Sequence, residues 1–286
     1  MIRRTAVASA ILVLAISAPA RAQGKSQSHK KNPPPSRSDL TAPVVLTSVN
    51  SATPFAWVDD ASLLEPGAVA VTLSASRWQG TDVSEVDVPV VDATVGLTPR
   101  VQLAATVPRV VGGSDPLGAA GGMGTSYFSA KIAVRDGGEG DVQLSITPTL
   151  EVLGRGVIQS ATPDQRRLHF GLPVSASIDR GAARFYAAGG YFSRGVWFTG
   201  GGAGIRATTR GFISLGYSRS WRRSDMFDVP LSDRSRNDII GGASFAVTRN
   251  ANAFGSVVRT IATQDENGAG MTLAAGVSFV FAPASK

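Results

Sequence analysis

The sequence predicts an all-β protein, a transmembrane antiparallel up-and-down β-barrel of about 12 strands, and three observations carry that expectation. From Gly67 onward, segments of roughly 10 to 13 residues alternate apolar with small or polar side chains, the mark of a strand whose two faces meet different media. The connections between these segments are alternately short and long. Beyond the first 22 residues there is no long uncharged apolar run, so contact with a membrane falls to strands rather than helices.

The chain opens with Arg3 and Arg4, an apolar stretch from Ala6 to Ile16 and the small-residue ending Ala20-Arg21-Ala22. This is a cleavable secretory signal, with the mature chain expected to begin near Gln23. The apolar stretch is about a dozen residues, too short for the roughly 20 that a spanning helix needs. Export and the absence of cysteine together mean that a large core or a membrane must hold the protein without disulfides.

Formal charge is +7 over the whole chain. Loss of the signal removes Arg3, Arg4 and Arg21. Most of the remainder sits on Lys25, Lys30, Lys31 and Arg37, offset by Asp39. The rest is close to neutral, so a basic groove for nucleic acid is excluded as a partner site. Residues 23–66 are expected to form a Pro-rich, basic linker and lead-in segment. Pro33-Pro34-Pro35 lies in its solvated part, and the stretch from Thr41 to Pro66, with Pro54-Phe55-Ala56-Trp57 and Asp59-Asp60, has no assignable regular element. Residues 67–286 are expected to form the barrel.

Strands are expected near 67–79, 86–97, 100–110, 125–135, 141–153, 167–178, 183–193, 196–206, 211–222, 237–247, 252–263 and 270–282. The fifth shows the period most plainly. Val142, Leu144, Ile146, Leu150 and Val152 share one face, while Asp141, Gln143, Ser145, Thr147, Thr149 and Glu151 share the other, a split no helix produces. The last repeats it with Met271, Leu273, Ala275, Val277, Phe279 and Phe281. An even count returns both chain ends to one side of the membrane.

Tight connections at Thr98-Pro99, 136–140, 179–182, 207–210 and 248–251 alternate with longer ones at 111–124, 154–166, 223–236 and 264–269, as short inner turns and long outer loops do. The short 194–195 connection departs from the rule. With odd strands running outward, Trp78, Tyr127, Phe128, Phe170, Tyr191, Phe192, Trp197, Phe198 and Trp221 gather toward the loops. Phe185, Phe212, Phe254, Phe279 and Phe281 gather toward the turns, giving two aromatic girdles. Pro148 and Pro173 lie inside strands of a barrel without free edges and demand bulges or breaks.

Short motifs add a family resemblance. Ala52-Thr53-Pro54-Phe55, Leu63-Leu64-Glu65-Pro66-Gly67, Gly96-Leu97-Thr98-Pro99-Arg100-Val101-Gln102-Leu103 and Tyr127 to Arg135 resemble the outer-membrane barrels named for the meta-pathway of phenol degradation. The resemblance implies a porin-like barrel passing small, often hydrophobic molecules, an inward lysine at Lys131, and no catalytic residues. The usual barrel ending has an aromatic as the final residue, whereas Ala282 to Lys286 follow Phe281 here.

Two histidines, His29 and His169, are too few for a His-based metal cluster. A lipid hydrolase would need a serine near His169, but the strand continues Phe170-Gly171. Asp136, Glu139 and Asp141 read as a solvated turn and Gly118 to Gly124 as an external loop. No cofactor and no metal are expected. The period turns Lys131, Arg135, Glu151, Arg206, Arg259, Gln102, Gln143 and His169 toward the lumen, because a charge on the lipid face near the midplane costs about 2–4 kcal/mol. These residues line a route for a small-molecule solute if the barrel is open, or fill it if it is closed. Passive transport leads; a closed structural or partner-binding barrel is the alternative, and a lipid-modifying enzyme the third reading. Outer-membrane lipid is the expected surrounding, and the sequence leaves oligomeric state open.

Overall fold

The computed structural model describes residues 58–80, 84–114, 121–137, 140–154, 167–193, 195–222, 234–263 and 270–282. The signal segment, residues 23–57 of the linker, His29, Glu139 and much of the four long loops lie outside the described residues.

The described residues form one closed antiparallel sheet. Its strands are β1 (Val69–Gln79), β2 (Ser84–Thr98), β3 (Val101–Ser114), β4 (Ser126–Arg135), β5 in two pieces (Val142–Ile146 and Thr149–Val152), β6 (Leu168–Arg180), β7 (Ala183–Phe192), β8 (Val196–Arg206), β9 (Gly211–Arg222), β10 (Arg234–Ala246), β11 (Ala251–Thr263) and β12 (Met271–Phe281). Each pairs with its neighbour in sequence, and β1 pairs with β12 from Val69↔Phe281 to Gln79↔Met271, which closes a 12-stranded barrel. A two-residue strand, Gly122–Met123, adds to the far end of β3. The expected strands are all present, their ends displaced by a few residues at most.

The alternation written in the sequence decides which way each side chain points. Directly opposed residues share a face, so the register Thr72↔Asp92↔Thr106 and Thr72↔Ser278↔Asn252 carries one polar face around the wall. That face is the enclosed one: Thr72, Ser74, Ser145, Glu151, Ser175, Ser218 and Ser278 are buried, although all are polar. The opposite face exposes Leu73, Leu103, Val174, Leu215, Ile239 and Val277. A globular core has the reverse arrangement; a barrel in lipid requires this one.

Prolines fall where pairing is interrupted. Pro148 separates the two pieces of β5, and the gap lies beside Pro173 of β6, since Ile146 opposes Val174 and Thr149 opposes Gly171. The backbone recovers what it can there: Thr147 donates to the Pro173 carbonyl at 2.8 Å and Ala130 to that of Pro148 at 3.1 Å. Pro89 falls in the irregular stretch of β2 between Asp87 and Val90.

The aromatic girdles are only partly as expected. Phe128, Phe170, Tyr191 and Trp197 face outward on the loop side, and Phe185, Phe279 and Phe281 outward on the turn side. Phe192, Phe198 and Phe212 instead are buried on the enclosed face. Height along a strand can be read from its ends, but the period of two sends one of each adjacent aromatic pair inward, so Phe192 and Phe198 face the inside where Tyr191 and Trp197 face out.

Candidate functional site

The enclosed face is not lined by strands alone. Residues 58–66, which precede β1, run along the inside of the wall. They start from the rim of short turns, where Gly67 N donates to the Gly96 carbonyl at 2.7 Å. At Val58 they pack with Ala188, Phe192 and Phe198 of the wall.

Wall residues hold this inserted segment by named contacts. Gln102 Oε1 accepts from Leu64 N at 2.7 Å, and Ser177 Oγ from Ala61 N at 3.3 Å. The Lys131 ammonium donates to Asp59 Oδ2 at 2.5 Å, to the Asp60 carbonyl at 3.0 Å and to the Ser62 carbonyl at 3.4 Å. Arg184 donates to Asp60 Oδ2 at 2.8 Å and grips Asp179 with two bonds of 2.6 and 2.9 Å. Asp60 Oδ1 in turn accepts from Ser62 N at 2.9 Å.

Glycines make room for the segment. A Cβ on Gly200 would collide with Val58 Cγ2, and one on Gly96 with the carbonyl oxygen of Glu65. Two wall positions that the inserted chain passes closely are therefore held by the residue without a side chain.

Across the barrel the wall is acidic. Asp87 accepts from Ser76 Oγ at 3.2 Å and Asp92 from Thr106 Oγ1 at 2.5 Å. The second carboxylate oxygen of each is buried with no hydrogen-bond partner, as is Ser74 Oγ beside them. On β10, Asp238 holds Arg236 at 2.8 Å and accepts from Thr260 Oγ1 at 2.7 Å.

The eight residues read from the sequence divide accordingly. Lys131, Glu151, Gln102, Gln143 and His169 face the enclosed space. Glu151 is fully buried and accepts from the Tyr127 hydroxyl at 3.1 Å; His169 opposes it in register, with Nε2 buried and without a hydrogen-bond partner. Gln143 Oε1 accepts from Ser177 Oγ at 3.2 Å. Arg206 ends β8 opposite the buried Phe212 but is exposed at the rim.

Two expectations are corrected. Arg259 stands opposite Ile239 between the exposed Val257 and Ile261, on the outward face, because the period of two runs unbroken along β11 from the buried Asn252 through Ser256 and Val258 and leaves Arg259 on the other side. Arg135 follows a shift after Ala133, which places it opposite Leu144 rather than in phase with Lys131. It is exposed and borders a cleft of about 240 Å³ between residues 61–66 and the turn-side wall. Arg135 ends β4 and Arg259 lies opposite Met271, the first residue of β12, positions near the rim where a long side chain reaches water or headgroups at little cost.

Sequence reasoning missed Asp59, Asp60 and Arg184 as partners and assigned Tyr127 to a girdle. The Asp59-Asp60 pair was visible; its partners, 72 and 124 residues away, were not. Among the described residues no group of three or more His, Cys, Asp or Glu side chains is placed to hold a metal ion.

No family model matches the chain, and no curated protein does. Solved structures do. An outer-membrane channel from Pseudomonas putida F1 is 14% identical, with a TM-score of 0.61 over 78% of this chain and 98% of that one. The NanC porin is 9% identical, with a TM-score of 0.52 over 73% and 98%. The KdgM porin, solved with disordered oligogalacturonate, is 8% identical, with a TM-score of 0.50 over 74% and 99%. At these identities the likeness is one of fold, to outer-membrane channels and porins; the meta-pathway resemblance rests on its short motifs alone.

Proposed function

We propose that the protein is an exported outer-membrane barrel that passes small solutes passively, as a porin does. The observation that carries this reading is the inversion of the wall: hydroxyls, amides and carboxylates line the enclosed face of 12 strands while apolar side chains cover the outside. The fold shared with a channel and two porins supports it. The signal-like first 22 residues support export.

The lining favours small polar solutes over the hydrophobic ones that the family resemblance implies, since buried apolar side chains there form only small clusters, Val58, Ala188, Phe192 and Phe198 in one and Ile240 with Val258 in another. It also favours cations. Lys131, Arg184 and Arg236 are each ion-paired, whereas Asp87 and Asp92 each keep a carboxylate oxygen without a hydrogen bond.

A second reading, a closed barrel with a structural role, draws on the inserted residues 58–66. Conductance of the refolded chain in planar bilayers separates the two. Stepwise currents, with a reversal potential in a salt gradient that favours cations and falls toward zero in Asp92→Asn, are the expected result. Silence from a folded barrel, recognised by its heat-modifiable migration, would leave the structural reading.

A further inference from the structure

From the contacts of Val58 to Pro66 we infer that this segment is a releasable plug, latched inside the barrel by Asp59 on Lys131 and by Asp60 on Arg184. This goes beyond the transport reading and rests on it, since a plug gates only a barrel that conducts.

Three features separate a docked ligand-like segment from a permanent piece of wall. First, its backbone joins no strand of the barrel ladder: residues 58–66 form no β-strand, and their bonds to the wall described above are mainly made with side chains, those of Gln102, Ser177, Lys131 and Arg184. Such a segment can leave without opening the sheet. Second, the receiving surface is shaped for it, with Gly200 and Gly96 cleared of side chains where Val58 and Glu65 pass. Third, the latch is electrostatic and localised. Lys131, only 7% exposed, finds all three of its acceptors on residues 59–62.

The two anchors differ in what they lose on release. Arg184 keeps Asp179 on two bonds, so it remains paired without the segment. Lys131 would stand in the wall with none of its present acceptors. A buried charge without a partner is strongly disfavoured, so Lys131 biases the equilibrium toward the docked state and is the residue whose removal should free the plug. The segment leads directly into β1 through Gly67, whose φ of 79° is open to glycine and gives the chain a bend at the turn-side rim.

The test uses the full mature chain, which has no native cysteine, refolded in lipid. A thiol introduced by Ala61→Cys reports docking through its rate of labelling by a water-soluble maleimide, and bilayer conductance is read on the same preparations. Ala61→Cys combined with Ser177→Cys, at positions where Ala61 N now meets Ser177 Oγ, locks the segment under oxidation.

Labelling of Ala61→Cys that rises about tenfold or more on adding Asp59→Asn or Lys131→Met, with larger currents, and currents that fall on oxidation of the double cysteine and return on reduction, are expected. Reversing the pair, Asp59→Lys with Lys131→Asp, should restore slow labelling. Unchanged labelling with conductance present would overturn the plug and leave the channel standing. Accelerated labelling with no current from any folded variant would support release and overturn the channel.

Discussion

Lys131 and Arg184 show how much of this molecule depends on enclosed charge. Arg184 holds two carboxylates, and its side chain is 17% exposed. Replacing it by Met strands Asp60 and Asp179 together. Breaking a fully buried pair costs about 3–5 kcal/mol, and because Asp179 is a third exposed the expected loss is nearer about 2–3 kcal/mol, read as a lowered urea midpoint in lipid vesicles. Adding Asp60→Asn to Arg184→Met should recover part of it, since one stranded charge is gone; a double variant less stable than the single would show that Asp60 acts through other contacts. Residues of this kind were half legible. A strict period of two turned Lys131 and Glu151 inward, because the alternative was a charge in lipid. That period could not say that the ammonium of Lys131 meets Asp59 of a segment lying outside the repeat. At Arg135 one slipped residue after Ala133 takes the side chain out of phase with Lys131, whereas Arg259 simply follows the unbroken period of β11 and shares the face of Val257 and Ile261.

At the scale of elements, strand positions were legible because each is bounded by turn chemistry and carries its own alternation, and both signals are local. The break in β5 was legible for the same reason: a proline offers no N–H, and a closed sheet has no edge on which to hide the loss. The β6–β7 turn gives a clean measure of such local control. Gly181 has φ 59°, and a Cβ there would meet nothing within 4 Å. Any cost of Gly181→Ala is therefore conformational rather than steric, and should be about 1 kcal/mol. Gly181→Asn should cost less, because asparagine tolerates this region better. Equal losses in both variants would mean that the turn is constrained by something other than its backbone angles. Gly200 makes the opposite case. Its φ is ordinary, and Gly200→Ala should act by pushing on Val58 and on the Tyr217 carbonyl, 2.6 Å from the added carbon, so the maleimide rate at Ala61→Cys should rise while the barrel stays folded.

For the whole molecule the deciding property is the inverted distribution of polarity, which the sequence displays directly because every strand repeats it. What the sequence does not display is the inside of the finished barrel. The enclosed space is defined only when β12 meets β1, and its contents include a stretch that carries neither period nor turn signals. The outer surface, by contrast, follows from the alternation and can be tested at two depths. Leu215 is 64% exposed near the middle of β9, between Ala203 of β8 and Gly241 of β10. If the outward face meets hydrocarbon, Leu215→Arg should cost about 2–4 kcal/mol in lipid vesicles, the range for a cation at the midplane. Arg259 lies on the same face beside the rim, opposite Met271 at the start of β12. There Arg259→Leu should change stability by less than about 1 kcal/mol, since a cation near the interface is almost free. Soluble globular packing predicts near-neutral changes at both positions, so the cost of Leu215→Arg is the outcome that discriminates. A neutral Leu215→Arg in folded, vesicle-embedded protein would therefore place that face in water and reject the membrane-spanning orientation, whereas a large cost at the middle and almost none at the rim would trace the lipid boundary along β9 and β11.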